Sequence, residues 1–135
     1  MNGKKILIIE DDEDIVNAMR IVLEKNGYQV SWAATGDEGL RAVKEKQPNL
    51  IILDVMMETR TKGFHVAYKL RSTDPKSEFA PYKNVPILMV TSIHETTTTR
   101  FDDATGSEWL PVDEFIEKPV QPEQLLSTVR RMLQG

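Results

Sequence analysis

At 135 residues with 40% hydrophobic content, the chain has enough apolar material for one packed domain and too little for two, so a single core over residues 1–135 with no output domain is expected. A net charge of −4 denies it the clustered Lys and Arg that nucleic-acid affinity needs, and direct nucleic-acid binding is not expected. The absence of cysteine excludes a disulfide framework, a thiolate nucleophile and a Cys-ligated metal, and the apolar run 6–9 is too short to span a bilayer and has no cleavage site behind it; a cytoplasmic protein without membrane attachment is expected.

The first strand is read at residues 5–9, a continuous apolar run of the kind a parallel strand shows when both its faces are covered. A helix follows over 13–26, with Ile15, Met19, Val22 and Leu23 on one face and Gly27 as a left-handed stop. Residues 28–33 read as the second strand. Thr35 and Glu38 then stand at capping-box spacing ahead of a helix carrying Leu40 and Val43, which Pro48 ends.

A second fully apolar run, 50–53, ends at Asp54, and a third, 85–90, ends at Thr91 and Ser92. Between them residues 63–71 have helical spacing through Phe64, Ala67, Tyr68 and Leu70, whereas 74–84 carries two prolines and reads as an exposed loop. Residues 95–105 give a weak helical signal, because the four threonines 96–99 are poor helix formers. A short strand at 114–117, a Lys118-Pro119 turn and a helix opened by Pro122 complete the chain.

Five strands alternating with about five helices imply an α/β doubly wound parallel sheet in three layers, α/β/α, because parallel crossovers are right-handed and need a dozen or more residues each. Ligands of such sheets bind beyond the carboxyl ends of the strands. Glu10 and Asp11 follow strand one, Asp54 strand three, Thr91 strand four and Lys118 strand five, so all five converge on one edge. Three carboxylates gathered there repel one another unless a cation intervenes, and their hard oxygens favour Mg²⁺ (or Mn²⁺). An ammonium and a hydroxyl beside that ion make a site for an anion with several oxygens, which phosphate fits better than a carbon substrate.

In the segments Ile6-Leu7-Ile8-Ile9-Glu10-Asp11-Asp12-Glu13, 50–57, Ile87-Leu88-Met89-Val90-Thr91-Ser92 and Phe115-Ile116-Glu117-Lys118-Pro119, the sequence resembles the response-regulator receiver family, which has a flavodoxin-like (CheY-like) fold. The resemblance covers essentially the whole chain, in the family's order. It implies a phosphoacceptor at Asp54, Mg²⁺ bound by Asp11 and Asp54 directly, by Glu10 largely through water and by the Met56 main-chain carbonyl. It further implies a switch hydroxyl at Thr91, a switch aromatic at Phe115, a phosphate-contacting Lys118 and a cis Pro119. The implied partners are a sensor histidine kinase or phosphotransfer protein and a downstream protein target, with dimerisation on phosphorylation a further expectation. The implied chemistry is self-phosphorylation and self-dephosphorylation, not enzymatic turnover of a separate substrate.

The chain departs from the family's pattern at Glu58, where a proline is usual, at Gly63, one residue late, in a longer 72–84 segment, and at 105–111. Taken singly, its features have plainer readings. Asp11, Asp12 and Glu13 suit a helix start, and Phe115 suits a fixed core position as well as a switch. His65 and His94 lack metal-ligand spacing and are given no role, and Trp32 and Trp109 are read as filling the edge of the core. Three other functions compete. A phosphatase forming an aspartyl phosphate lacks its second aspartate, since Asp54 is followed by Val55 and Met56. A nucleotide-binding protein lacks a glycine-rich loop after strand one, and a receiver-like scaffold would act by binding without phosphorylation.

Overall fold

A computed structural model of the chain describes residues 4–54, 62–72, 74–91 and 112–134, of which 62–65 and 91 are described by their backbone alone. The expected weak helix at 95–105, Met56, Glu58, His94 and Trp109 lie outside the described residues, as do the side chains of His65 and Thr91.

The apolar runs form strands β1 (Lys5–Ile9), β2 (Gln29–Ala33), β3 (Leu50–Asp54), β4 (Ile87–Thr91) and β5 (Glu114–Glu117). All pair in parallel, in the order β2-β1-β3-β4-β5. Helices α1 (Glu13–Lys25), α2 (Gly36–Lys46), α3 (Lys62–Leu70) and α4 (Pro122–Gln134) are the α-helices among the described residues.

Alternate strand residues point to opposite faces, and each face has its own cover. Leu7, Ile9, Ile51, Leu53, Ile87 and Met89 pack against α2 and α3 through Leu40, Val43, Val66, Ala67 and Leu70. Ile6, Ile8, Leu50, Ile52, Leu88 and Val90 pack against α1 and α4 through Val16, Met19, Leu23, Leu125 and Val129. With both faces sealed, the central strands are fully apolar, and the result is the expected three-layer, flavodoxin-like α/β/α architecture.

Local chemistry sets the helix ends. The Asp12 side chain accepts from the amides of Asp14 and Ile15, capping α1 directly beyond the acidic pair, and Gly27 at φ 94° follows its last turn. Thr35 accepts from the Glu38 amide at 3.1 Å while the Glu38 carboxylate accepts from the Ala34 amide at 3.2 Å, a near-reciprocal capping box. Gln47 takes the left-handed conformation, φ 50°, just before Pro48.

In α1 the fully covered residues are Val16, Met19 and Leu23, with Ile15 and Val22 half-buried beside them. Two sequence expectations need correction. Residues 74–84 are not simply an exposed loop. Ser77, Ala80 and Tyr82 make turn hydrogen bonds, Ala80–Tyr82 form a 3₁₀ turn, and Phe79 is buried in the α2/α3 face with the Lys44 ammonium 5.4 Å above its ring. Strand β4 begins at Ile87 instead of 85, since the Val85 amide is spent on a turn bond to Tyr82.

Candidate functional site

The strand register aligns the polar residues in rows. Ile9 stands opposite Leu53 and Asp54 opposite Val90, so Glu10 and Asp54 leave β1 and β3 side by side. Thr91 stands opposite Glu117, which brings Lys118 to the same edge immediately after β5. Four carboxyl ends of a parallel sheet thus deliver the chemistry to one place, as the sequence pattern requires.

Glu10, Asp11 and Asp54 each offer a carboxylate oxygen within 4.8 Å of the others. Glu10 and Asp54 are buried, whereas Asp11 is exposed at the rim. The Lys118 ammonium lies 3.3 Å from Asp54 Oδ1 and 3.2 Å from Glu10 Oε1, and the Lys118–Pro119 peptide is cis. The amide of Asp12 donates to Glu10 Oε2 at 3.1 Å.

Burial pushes the Glu10 carboxyl up to about 7, and the charge of Asp54 adds to the rise, with Lys118 opposing it. For Lys118, burial acts to lower the pKa, but the charges of Asp54 and Glu10 outweigh it and hold the ammonium above its ordinary value. Two buried carboxylates therefore share one cation.

The donor set fits a divalent cation. Glu10 Oε1 is buried and faces the Lys118 ammonium at 3.2 Å, but that one cation is shared with Asp54, so the buried carboxylates carry more negative charge than it neutralises. Three clustered hard oxygens, one of them at the solvent edge, match what a six-coordinate cation that keeps some of its water needs.

The family described as the response regulator receiver domain matches residues 6–130. This chain belongs to that family. It is thus a receiver domain of the kind found in two-component systems, as the motif resemblance implied. Among curated relatives, it is 36% identical to the alkaline phosphatase synthesis transcriptional regulatory protein PhoP of Bacillus subtilis, over 97% of this chain and 49% of that protein. It is also 34% identical to the transcriptional regulatory protein AfsQ1 of Streptomyces coelicolor, over 95% of this chain and 50% of that one. The chain spans about half the length of the curated relatives it matches. Among solved structures, chemotaxis response regulator CheY4 of Vibrio cholerae superposes with a TM-score of 0.79 at 30% identity, covering 97% of this chain and 99% of that one.

Within this receiver, Glu10, Asp11, Asp54 and Lys118 are brought together as expected. Thr91 ends β4 at the same edge, while Met56 lies outside the described residues. Phe115 sits in the row of Met89, half-buried against the α2/α3 face. Sequence reasoning missed Trp32. It does not fill the core edge but is 39% exposed, and its indole N–H donates to the Glu10 carbonyl at 2.7 Å. The one signal in the sequence was a large donor-bearing residue next to the end of the second strand. No helix among the described residues is long and apolar enough to cross a membrane.

Proposed function

We propose that this receiver accepts a phosphoryl group on Asp54 from a phosphohistidine of a sensor histidine kinase or phosphotransfer protein, and signals to a downstream protein through its altered surface. The observation that carries the reading is the Lys118 ammonium bridging Asp54 and Glu10 inside a three-carboxylate cluster. A cation next to an anionic nucleophile offsets the repulsion an incoming phosphoryl group meets.

In the transfer, an Asp54 carboxylate oxygen forms an O–P bond as the donor's N–P bond breaks, and the electron pair of that bond stays on the imidazole nitrogen. Glu10, Asp11 and Asp54, with the Met56 carbonyl that the family resemblance adds, would hold Mg²⁺ or Mn²⁺, whose charge neutralises the transferring oxygens when bound. Lys118, whose ammonium lies 3.3 Å from Asp54 Oδ1, steadies the phosphoryl oxygens. Water attack on the acyl phosphate returns Asp54 and inorganic phosphate, so the domain is a phosphoacceptor with self-dephosphorylation and no separate substrate.

Phosphorylation replaces one carboxylate charge with a dianion, which draws the Thr91 hydroxyl and Lys118 inward and opens space for the Phe115 ring. We place this chemistry in the cytoplasm. The curated relatives are transcriptional regulators about twice this length; for this domain we propose output through protein contact, including dimerisation, without direct nucleic-acid contact.

The test is intact mass after incubation with Mg²⁺ and acetyl phosphate, for wild type and Asp54→Asn. A phosphoryl adduct confined to wild type supports the proposal. Metal binding with no adduct would instead identify a scaffold that acts by binding alone.

A further inference from the structure

We infer that Trp32 is a positioning residue for the acidic site, acting through the peptide group that joins Glu10 to Asp11. The inference rests on the receiver reading of that site and goes beyond it in assigning a role to a residue of the edge strand.

The paired ladder between β1 and β2 ends at Ile9 and Ala33. Beyond it the Glu10 amide still donates to the Ala33 carbonyl at 3.1 Å, but the chain then turns into α2, and the Ala34 amide goes to the Glu38 carboxylate. The Glu10 carbonyl takes its donor from a side chain instead, the Trp32 indole at 2.7 Å. That carbonyl and the Asp11 amide form one rigid plane, so fixing the oxygen fixes ψ of Glu10 and φ of Asp11 together. Those two angles decide where the two adjacent carboxylates point. With Asp12 donating to Glu10 Oε2 at 3.1 Å, the acidic pair is held from both sides of the turn.

Burial does not force this bond. Trp32 is 39% exposed, and an indole with access to water can satisfy its N–H there. The hydrogen bond is directed at the one carbonyl that links two carboxylates of the cluster, and groups behind metal ligands tune affinity by orienting those ligands.

The experiment compares wild type with Trp32→Phe, which keeps an aromatic ring and deletes the donor. Mg²⁺ affinity is measured by calorimetry, and urea unfolding is followed without metal. The expected result is an affinity weakened about 3- to 10-fold through looser orientation of the acidic pair, with the metal-free unfolding midpoint lowered by no more than one lost hydrogen bond accounts for. Equal affinities, with or without a lower midpoint, would overturn the role and leave Trp32 a surface residue. As a second readout, the Trp32 indole N–H resonance, identified by its loss in Trp32→Phe, shifts during Mg²⁺ titration with the calorimetric midpoint. A stationary resonance would count against the coupling. Asp54 phosphorylation is read separately by intact mass, so a receiver that binds Mg²⁺ without forming the adduct fails the functional reading while the affinity ratio still decides on Trp32.

Discussion

Lys118 Nζ and Asp54 Oδ1 stand 3.3 Å apart across 64 residues of sequence, because β3 and β5 both pair with β4 and release these residues at the same edge. The same ammonium lies 3.2 Å from Glu10 Oε1, so one cation serves two buried carboxylates.

Replacing Lys118 by Met removes that cation while keeping the length of the side chain. Phosphorylation of Asp54 by acetyl phosphate, followed by intact mass over time, is expected to slow by about 10²-fold, the scale for deleting one positioned charge donor. Circular dichroism should remain that of wild type, since Lys118 follows β5 outside the core clusters. An undiminished rate would take Lys118 out of the chemistry.

Glu10 links the site to pH. Its folded pKa of about 7 exceeds the ordinary 4.5, so its protonation stabilises the metal-free fold fully below pH 4.5, and that contribution is lost as pH rises through about 7. Urea midpoints without metal should therefore fall across this window, and Glu10→Gln should flatten the fall. Because metal binding needs the ionised carboxylate, Mg²⁺ affinity should run the opposite way, strengthening with pH up to about 7 and then levelling. Calorimetry at pH 6, 7 and 8 (values chosen to span roughly one unit on either side of the Glu10 pKa) tests the sign.

Gly39 on α2 leaves no room for a side chain. A methyl there would stand 2.5 Å from Ile9 Cδ1 and 2.9 Å from Ile9 Cγ2, and Ile9 is fully buried, so the residue cannot swing away. Gly39→Ala should destabilise the domain by about 1–3 kcal/mol despite alanine's better helix propensity. Chemical denaturation gives the sign directly.

Phe79→Ala should cost about 3–5 kcal/mol in urea unfolding, the range for emptying a buried aromatic site. The ring lies in the segment before β4, at the end of the sheet opposite Asp54, so the folded variant should still form the phosphoryl adduct. A cost below about 1 kcal/mol would mean that the segment re-closes over the gap.

The strands and most helix boundaries were legible because their signals are local. The runs 6–9, 50–53 and 87–90 have no polar position to expose, and Asp12, Thr35, Gly27 and Pro48 act on the turn next to them. The site was legible for a related reason. In a parallel sheet every strand end points the same way, so Glu10, Asp11, Asp54 and Lys118 had to share an edge once their strands were recognised. Phe79 was harder to read, since two prolines and several polar neighbours mark a loop, and nothing nearby announces the pocket that α2 and α3 make for its ring.

By itself, then, the sequence determined the alternation of elements, the edge on which the acidic residues and Lys118 emerge, and the receiver motifs. Only the tertiary structure decided the order β2-β1-β3-β4-β5, which places β1 between β2 and β3 and so sets Glu10 beside Asp54 on one side and within reach of the Trp32 indole on the other. It also decided that Glu10 is buried, and with that its raised pKa. Periodicity and capping act over a few residues of chain, whereas desolvation and a hydrogen bond spanning 22 residues exist only after separate elements have packed.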